Sequence, residues 1–160
     1  MSRQVLSTQA SASLDAWARL LFAHAATTRR ISGSLLAEHG LTLNDYEALL
    51  RLSRADGGRM RRVDLAEELV LTASGVTRLL DGLEAAGYVE RANCASDRRV
   101  VYAVLTDAGR TKLEAASESH LVAVRALFED RLADEELAQL ARLLGRLPGA
   151  EDAVGEDCAA

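Results

Sequence analysis

Residues 62–91, RVDLAEELVLTASGVTRLLDGLEAAGYVER, decide the fold. Residues 63–69 have the composition of a short helix. We expect its inward side to consist of Val63, Ala66 and Leu69. Thr72 is a suitable N-cap for a second helix, and Gly87 is a suitable residue to end it. Because only a tight turn, Val70-Leu71-Thr72, separates the two helices, this stretch predicts a helix-turn-helix.

The helix that follows Thr72 has two different faces. Four apolar residues recur at three- and four-residue spacing: Val76, Leu79, Leu80 and Leu83. If these face the core, the outward residues are Ala73, Ser74, Gly75, Thr77, Arg78 and Asp81. Such a small, polar face can enter a DNA groove, and its free backbone N–H groups can hold a phosphate. Arg78 can donate two hydrogen bonds to guanine O6 and N7. The alternative is an ordinary solvated helix face, on which Gly75 is tolerated because it is exposed.

A β-hairpin is predicted directly after this helix. Tyr88–Arg91 and Val100–Leu105 are the two strands, and residues 92–99 form a polar tip. The tip contains Asp97-Arg98-Arg99. A turn carboxylate can hold one arginine while the other enters a narrow minor groove, where the negative potential is concentrated. The alternative is a charged loop that contributes only to solubility.

Long helices flank this central region. The first covers about residues 10–38, with Leu14, Trp17 and Leu21 on one face, and Gly40 ends it. The second begins with Thr42 as its cap. A further helix begins at Thr106, and its apolar stripe and that of the last helix extend to Leu147. These stripes exceed what a winged domain of about seventy residues can cover, so we expect them to bind a partner chain.

Composition limits the remaining classes. The 160 residues are 49% hydrophobic and 27% charged, which is typical of a globular chain. We expect no membrane span, no secretory signal, and two intracellular thiols, Cys94 and Cys158. The net charge of −5 is uneven: residues 1–39 carry +2, 40–110 carry −1, and 111–160 carry −6. A local basic face can therefore still bind phosphate.

No enzyme motif is found in the sequence. It has no zinc-protease helix motif, phosphate loop, glycine-rich dinucleotide turn or nucleophile elbow. We therefore expect a protein that is not an enzyme and needs no cofactor. A zinc site made of Glu38, His39, Glu118 and His120 would lack the spacing of a compact metal site. The metal prediction is accordingly none.

Taken together, these segments resemble the MarR (multiple antibiotic resistance regulator) family. The resemblance rests on Leu65-Ala66, the run from Thr72 to Val89, Glu90-Arg91, Asp97-Arg98-Arg99 and Leu105–Arg110. It implies a mainly α-helical winged helix-turn-helix with a small β-hairpin wing and N- and C-terminal dimerisation helices. Within a single chain of residues 1–160, it places the helical dimerisation region at 10–38 and 111–147 and the winged DNA-binding region at 40–110. Residues 148–160 are expected to form a flexible tail.

The resemblance also implies how DNA is bound. Two winged lobes of a homodimer would bind a palindromic operator in double-stranded DNA. The residues of the implied interface are Thr72, Ser74, Gly75, Thr77, Arg78, Asp97, Arg98 and Arg99. Arg78 and its neighbours would enter the major groove. Arg98 would enter the minor groove, and Asp97 would brace the wing.

A small-molecule pocket between the dimer helices and the DNA-binding lobe is implied as well. Its candidate residues are Trp17, His24, Tyr46, Glu47 and His120. An aromatic wall with a few polar groups suits a small aromatic or phenolic anion. The alternative is structural, with Trp17 as a dimer anchor and His120 as a satisfied interface histidine. Because the first two helices lack cysteine, we do not expect peroxide sensing.

The sequence thus predicts a cytoplasmic, nucleoid-associated transcriptional regulator, a ligand-responsive homodimeric repressor. The rival hypothesis is a winged-helix protein–protein interaction module without specific DNA binding. The overall acidity and Asp81 on the outward helix face favour that rival.

Overall fold

A computed structural model describes residues 12–93 and 100–150. The helices are α1 (Ala12–His39), α2 (Leu43–Arg54), α3 (Arg62–Glu68), α4 (Ala73–Ala85), α5 (Asp107–Glu129) and α6 (Asp134–Leu144). The strands are β1 (Arg59–Arg61), β2 (Val89–Asn93) and β3 (Val101–Leu105), and they form one antiparallel sheet in the order β1-β3-β2. The predicted fold, mainly helical with a small β wing, is confirmed. The wing residues Asp97, Arg98 and Arg99 and most of the C-terminal segment lie outside the described residues.

The chain divides into two compact units, residues 1–120 and 121–160. The first unit contains the main core, whose largest fully buried side chains are Leu35, Leu49, Leu52, Leu65, Val76, Leu80 and Val89. The second unit contains α6 and an apolar groove lined mainly by Val124, Phe128, Leu137, Leu140 and Leu144. No helix in the described part of the chain combines the length and apolar character needed to cross a membrane.

Local signals place α2 where the sequence predicts it. The Thr42 hydroxyl accepts a hydrogen bond from the Asp45 backbone N–H at 3.1 Å, and the Asp45 carboxylate accepts one from the Thr42 N–H at 2.8 Å. This reciprocal capping box satisfies N–H groups that a helix start leaves unpaired. Tyr46, Leu49 and Leu52 are then buried on the inner face.

The predicted inward side of α3 is wrong for one of its three residues, Val63. Leu65 is fully buried, whereas Val63 is 53% exposed. Ala66 and Leu69 are partly buried against the core. Leu65 is the one fully buried residue of this seven-residue helix; the C-cap residue Leu69, four positions on, is partly buried, and Val63 points away from both.

Strand β1 is absent from the sequence prediction. It pairs with β3 in the register Arg59–Val104, Met60–Ala103 and Arg61–Tyr102. Three residues are too few to show a period-two pattern, and the strand exists only because β3 offers it a partner distant in sequence. The Arg59 guanidinium lies 5.3 Å from the Tyr102 ring centroid on this sheet.

The start of α5 touches the backbone that leads into β2. The Thr106 hydroxyl donates to the Gly87 carbonyl at 2.7 Å and accepts from the Gly109 N–H at 3.0 Å. The Thr106 N–H donates to the Tyr88 carbonyl at 3.1 Å. A Cβ on Gly109 would lie 2.1 Å from that same carbonyl oxygen. Only glycine permits this approach, so Gly109 fixes where β2 begins relative to α5.

Val70, in the turn between α3 and α4, has a strained backbone. Its φ of +53° lies in the left-handed region, and its side chain is 91% exposed. A β-branched residue disfavours this conformation, and burial does not compensate here. The turn nevertheless closes, because the Leu71 N–H donates to the Ala66 carbonyl at 2.8 Å.

We expect Gly109→Ala to lower the free energy of unfolding by about 3 kcal/mol, because the new methyl group collides with a backbone carbonyl that cannot move away freely. Chemical denaturation with a helicity readout measures the change. The matched control is Gly82→Ala in α4, where a Cβ meets nothing within 4 Å. That change should raise stability by about 0.5–1 kcal/mol, since alanine favours a helix interior. Equal effects of the two substitutions would contradict the packing argument.

We expect Val70→Asn to raise the free energy of unfolding by about 1 kcal/mol, because asparagine tolerates the left-handed region. Val70→Ile is the control, since it keeps the branched side chain and should change little. Thermal melts of both variants and the parent protein give the comparison. A gain with isoleucine equal to that with asparagine would show that backbone strain is not the cause.

Candidate nucleic-acid interface

The N-terminus of α4 is organised by Thr72. Its hydroxyl oxygen accepts a hydrogen bond from the Gly75 N–H at 3.1 Å and lies 3.2 Å from the Ser74 hydroxyl. A Cβ on Gly75 would lie 3.2 Å from the Thr72 hydroxyl oxygen, which is a tight contact. Glycine at this position therefore favours the cap, a structural reason for Gly75 that the sequence did not reveal.

The outward face of α4 agrees with the sequence prediction. Ser74, Arg78 and Asp81 are exposed, whereas Gly75 and Thr77 are half-buried. The Thr77 hydroxyl donates to the Ala73 carbonyl at 2.7 Å, so its proton is used within the helix and its oxygen can still accept. Val76, Leu80 and Leu83 are buried, and Leu79 is partly buried against the core.

Arg78 is the basic residue on the outward face of α4. It is exposed, and it forms no ion pair with any residue in 12–93 or 100–150. Asp81, on the same face, is ion-paired with Arg91 of β2, and Arg91 also contacts Glu84 at 3.2 Å. The guanidinium of Arg78 therefore remains available to an external acceptor.

Strand β2 extends from this helix toward the wing. The register of β2 and β3 runs from Val89–Leu105 to Asn93–Val101. Asn93 and Val100 thus bracket the hairpin tip that carries the predicted wing residues. Arg91 was not among the predicted site residues, because the sequence separation of ten residues from Asp81 follows no helical or strand period.

The candidate ligand residues are only partly brought together. The rings of Tyr46 and His120 lie 4.5 Å apart between centroids, and the Tyr46 hydroxyl lies 3.2 Å from that of Ser117. Trp17 is 58% exposed and His24 is exposed, both on α1. In the described part of the chain, no ring contact joins either of them to Tyr46 or His120.

His120 has an unusual environment. Its Nδ1 atom is buried and has no hydrogen-bond partner in residues 12–93 and 100–150. Burial lowers the pKa of His120 below its ordinary value of about 6.5, and the nearby Glu47 carboxylate partly opposes this shift. The lowered pKa favours the neutral form of the imidazole.

A chain of polar contacts surrounds the same region. Arg51 lies 3.6 Å from Glu47 and 3.7 Å from Glu68, which connects α2 to α3. The neighbour of His120, Ser119, shares a hydrogen bond of 2.8 Å with His39. No group of three or more His, Cys, Asp or Glu residues suited to a metal ion occurs among the described residues. Arg51, Ser117 and Ser119 were missed because they carry no motif.

Proteins of known structure share this fold. A family model described as the MarR family matches residues 39–100. AbsC of Streptomyces coelicolor, a MarR family transcriptional regulator of known crystal structure, is 35% identical; the match covers 86% of this chain and 93% of AbsC, with a TM-score of 0.76.

The chain belongs to the MarR family. Sco3205 of Streptomyces coelicolor, a MarR family transcriptional regulator crystallised in complex with DNA, is 27% identical, with 88% of each chain covered and a TM-score of 0.77. The HTH-type transcriptional repressor YetL of Bacillus subtilis is 32% identical over 111 residues, which are 69% of this chain and 66% of YetL. This MarR-family chain therefore has the fold and the relatives of a transcriptional regulator.

We expect His120→Gln to reduce the loss of stability toward acidic pH. Because the pKa of His120 is lowered in the folded state, the unfolded chain binds the proton first as the pH falls through about 6.5. Folded-state stability is therefore complete above that pH and declines below it, until the folded-state pKa is passed. Thermal midpoints of both proteins between pH 8 and pH 5 test this.

The Glu47→Gln variant should increase the loss of stability toward acidic pH. Without the carboxylate that favours the charged imidazole, the pKa of His120 falls further and the loss toward low pH grows. Parallel pH profiles for the parent and His120→Gln would contradict the assignment of this titration to His120.

Proposed function

We propose that this MarR-family protein is a sequence-specific DNA-binding transcriptional regulator that acts as a homodimeric repressor on a palindromic operator. The observation that carries the proposal is the outward N-terminal face of α4, on which Arg78 is exposed and has no ion-pair partner among the described residues. Small side chains beside it, Ser74 and Gly75, let the helix approach base edges closely. The complex of Sco3205 with DNA supports this use of the fold.

The proposed contacts fall into two groups. In the major groove they are Thr72, Ser74, Gly75, Thr77 and Arg78. In the wing they are Asp97, Arg98 and Arg99, which lie outside the described residues. Arg78 discriminates bases, and Arg98 follows the minor groove, where its charge is attracted by the narrow-groove potential.

Dimerisation is supported by exposed apolar surface. Trp17, Leu21 and Phe22 are between 48% and 77% exposed on α1. The second unit carries the apolar groove along α6. Surface of this kind is costly to leave in water, and a second copy of the chain covers it. A two-fold dimer then binds half-sites about one DNA turn apart.

The finer properties follow from this role. The name of YetL, a transcriptional repressor, supports repression rather than activation. A regulator of this kind is not an enzyme, requires no cofactor, and works in the cytoplasm on the nucleoid. The interaction-module alternative loses part of its support, because the Asp81 charge that favoured it is neutralised by Arg91.

A small aromatic or phenolic anion is the proposed effector class. The Tyr46 ring lies 4.5 Å from that of His120, and both this ring and the His120 Nδ1 are buried, so an effector would have to open this site to reach them; in one imidazole tautomer Nδ1 would then accept a hydrogen bond from a phenol. The Glu47 carboxylate acts on the same imidazole and repels negative charge, so the anionic end of such an effector would point away from Glu47. The proposal rests on Tyr46, Glu47 and His120, since no described ring contact links Trp17 or His24 to them.

The test begins by selecting the preferred duplex from a randomised library with the parent protein. Fluorescence anisotropy then measures its affinity at two salt concentrations. We expect one dimer to bind each duplex. Arg78→Ala should reduce discrimination at one base position in each half-site by about five- to a hundredfold. Arg98→Ala should weaken binding on all sequences and reduce the salt slope by about one for each lost contact.

Arg54→Ala, a charge change at an exposed position at the end of α2 that is neither a proposed DNA contact nor in the dimerisation region, is the matched control and should bind like the parent protein. Equal binding by the parent, Arg78→Ala and Arg98→Ala would contradict the proposed contacts. Failure of the parent protein to bind any duplex at low salt would overturn the DNA proposal and favour the interaction module.

A further inference from the structure

Arg91 of β2 is held between two carboxylates of α4. Its guanidinium donates a hydrogen bond from Nη2 to Asp81 Oδ1, and its Nε lies 3.2 Å from Glu84 Oε2. About a third of the Arg91 side chain is exposed, and the two carboxylates are more exposed than that. One cation therefore contacts both acidic side chains in the second half of α4, and the three groups together keep a net charge of −1.

This pairing contributes little to stability. Ion pairs between exposed side chains contribute little, because water screens the charges and the side chains lose rotational freedom. The fold near Arg91 is already fixed by the pairing of β2 with β3 and by the burial of Val89. A role in stability therefore does not account for an arginine that bridges two acids.

The position of Asp81 suggests what the bridge achieves. Asp81 follows Arg78 by three residues on the same outward face, and side chains three apart on a helix are neighbours. A free Asp81 carboxylate would compete with DNA for the Arg78 guanidinium. Arg91 occupies that carboxylate, and Arg78 has no ion pair in the described part of the chain.

Glu84 differs from Asp81 in this respect. It follows Arg78 by six residues, almost two helical turns away, so it lies beyond direct pairing distance. Its neutralisation removes repulsion from DNA phosphates but does not release Arg78. The two acids contacted by the same arginine thus provide a matched pair for separating the two effects.

We propose that Arg91 is a positioning residue that determines base specificity: by holding Asp81 it keeps Arg78 available to a guanine in the major groove. The inference rests on the proposed DNA-binding function. Arg91 itself needs no contact with a base. Its loss lets Asp81 turn to Arg78, and the discrimination contributed by Arg78 falls.

The experiment uses full-length dimeric protein and the duplex selected by the parent protein. In a second duplex, an A·T pair replaces the G·C pair at the position where Arg78→Ala reduces the preference for guanine. The ratio of the two affinities is the specificity ratio. We expect Arg91→Ala to lower this ratio about tenfold, which corresponds to loss of much of a bidentate base contact. The thermal midpoint should change little.

The rescue variants decide the mechanism. Asp81→Asn alone should leave the specificity ratio within about twofold of the parent value, because the carboxylate is already occupied. Added to Arg91→Ala, Asp81→Asn should restore the ratio. Glu84→Gln added to Arg91→Ala should raise affinity on both duplexes equally and leave the ratio low. Arg91→Gln, whose side chain is longer than that of alanine but uncharged, is measured in parallel. It should lower the specificity ratio as Arg91→Ala does, which separates the lost charge from a folding defect of the alanine variant.

Two results would overturn the inference. The first is an Arg91→Ala variant that loses affinity equally on both duplexes, with a salt slope lower by about one and no rescue by Asp81→Asn, which would make Arg91 a direct phosphate contact. The second is equal rescue of the ratio by Asp81→Asn and Glu84→Gln, which would indicate bulk charge alone. If the parent protein selects no sequence, the proposed function itself fails.

Discussion

Burial of one stripe of α4 is the constraint on which the candidate interface depends. Val76, Leu80 and Leu83 are each 2% exposed or less. A helix repeats every 3.6 residues, so fixing these three positions also fixes the opposite face, which carries Ser74 and Arg78. Leu79 lies at the edge of the stripe and is partly buried. The chemistry presented to DNA is thus a consequence of core packing, and no separate interaction is needed to turn Arg78 outward.

The sheet is positioned by backbone contacts rather than by side-chain packing alone. Thr106 bonds to the carbonyls of Gly87 and Tyr88, and Gly109 allows the first turn of α5 to approach the same backbone. β2 therefore begins at a defined place at the end of α4. That placement brings Arg91 to the carboxylates of Asp81 and Glu84. These contacts span ten and seven residues of sequence and join a helix to a strand, so neither a helical nor a strand repeat predicts them. The same arrangement pairs the Asp81 carboxylate with the Arg91 guanidinium, so that Asp81 presents less negative charge to a bound nucleic acid.

Prediction succeeded where the signal is local. Thr42, Thr72 and Thr106 each cap a helix as expected, because a hydroxyl that accepts a backbone N–H within three residues needs no distant partner. The stripe of α4 spans enough turns to show its period. Seven-residue α3 does not: of Val63, Ala66 and Leu69, which the sequence predicts to face inward, Val63 is exposed, and Leu65 is buried instead. β1 was missed because its only reason to be a strand is its pairing with β3.

The sequence by itself determined the order of the helices, the turn between α3 and α4, the outward face with Arg78, and the family. These follow from capping, hydrophobic period and motif spacing, which act over a few residues. Only the tertiary structure decided the partners of individual charges and rings: Arg91 with Asp81, Tyr46 with His120, and Arg51 between Glu47 and Glu68. Such contacts join separate elements, and their energies depend on distance and burial, which no spacing along the chain encodes.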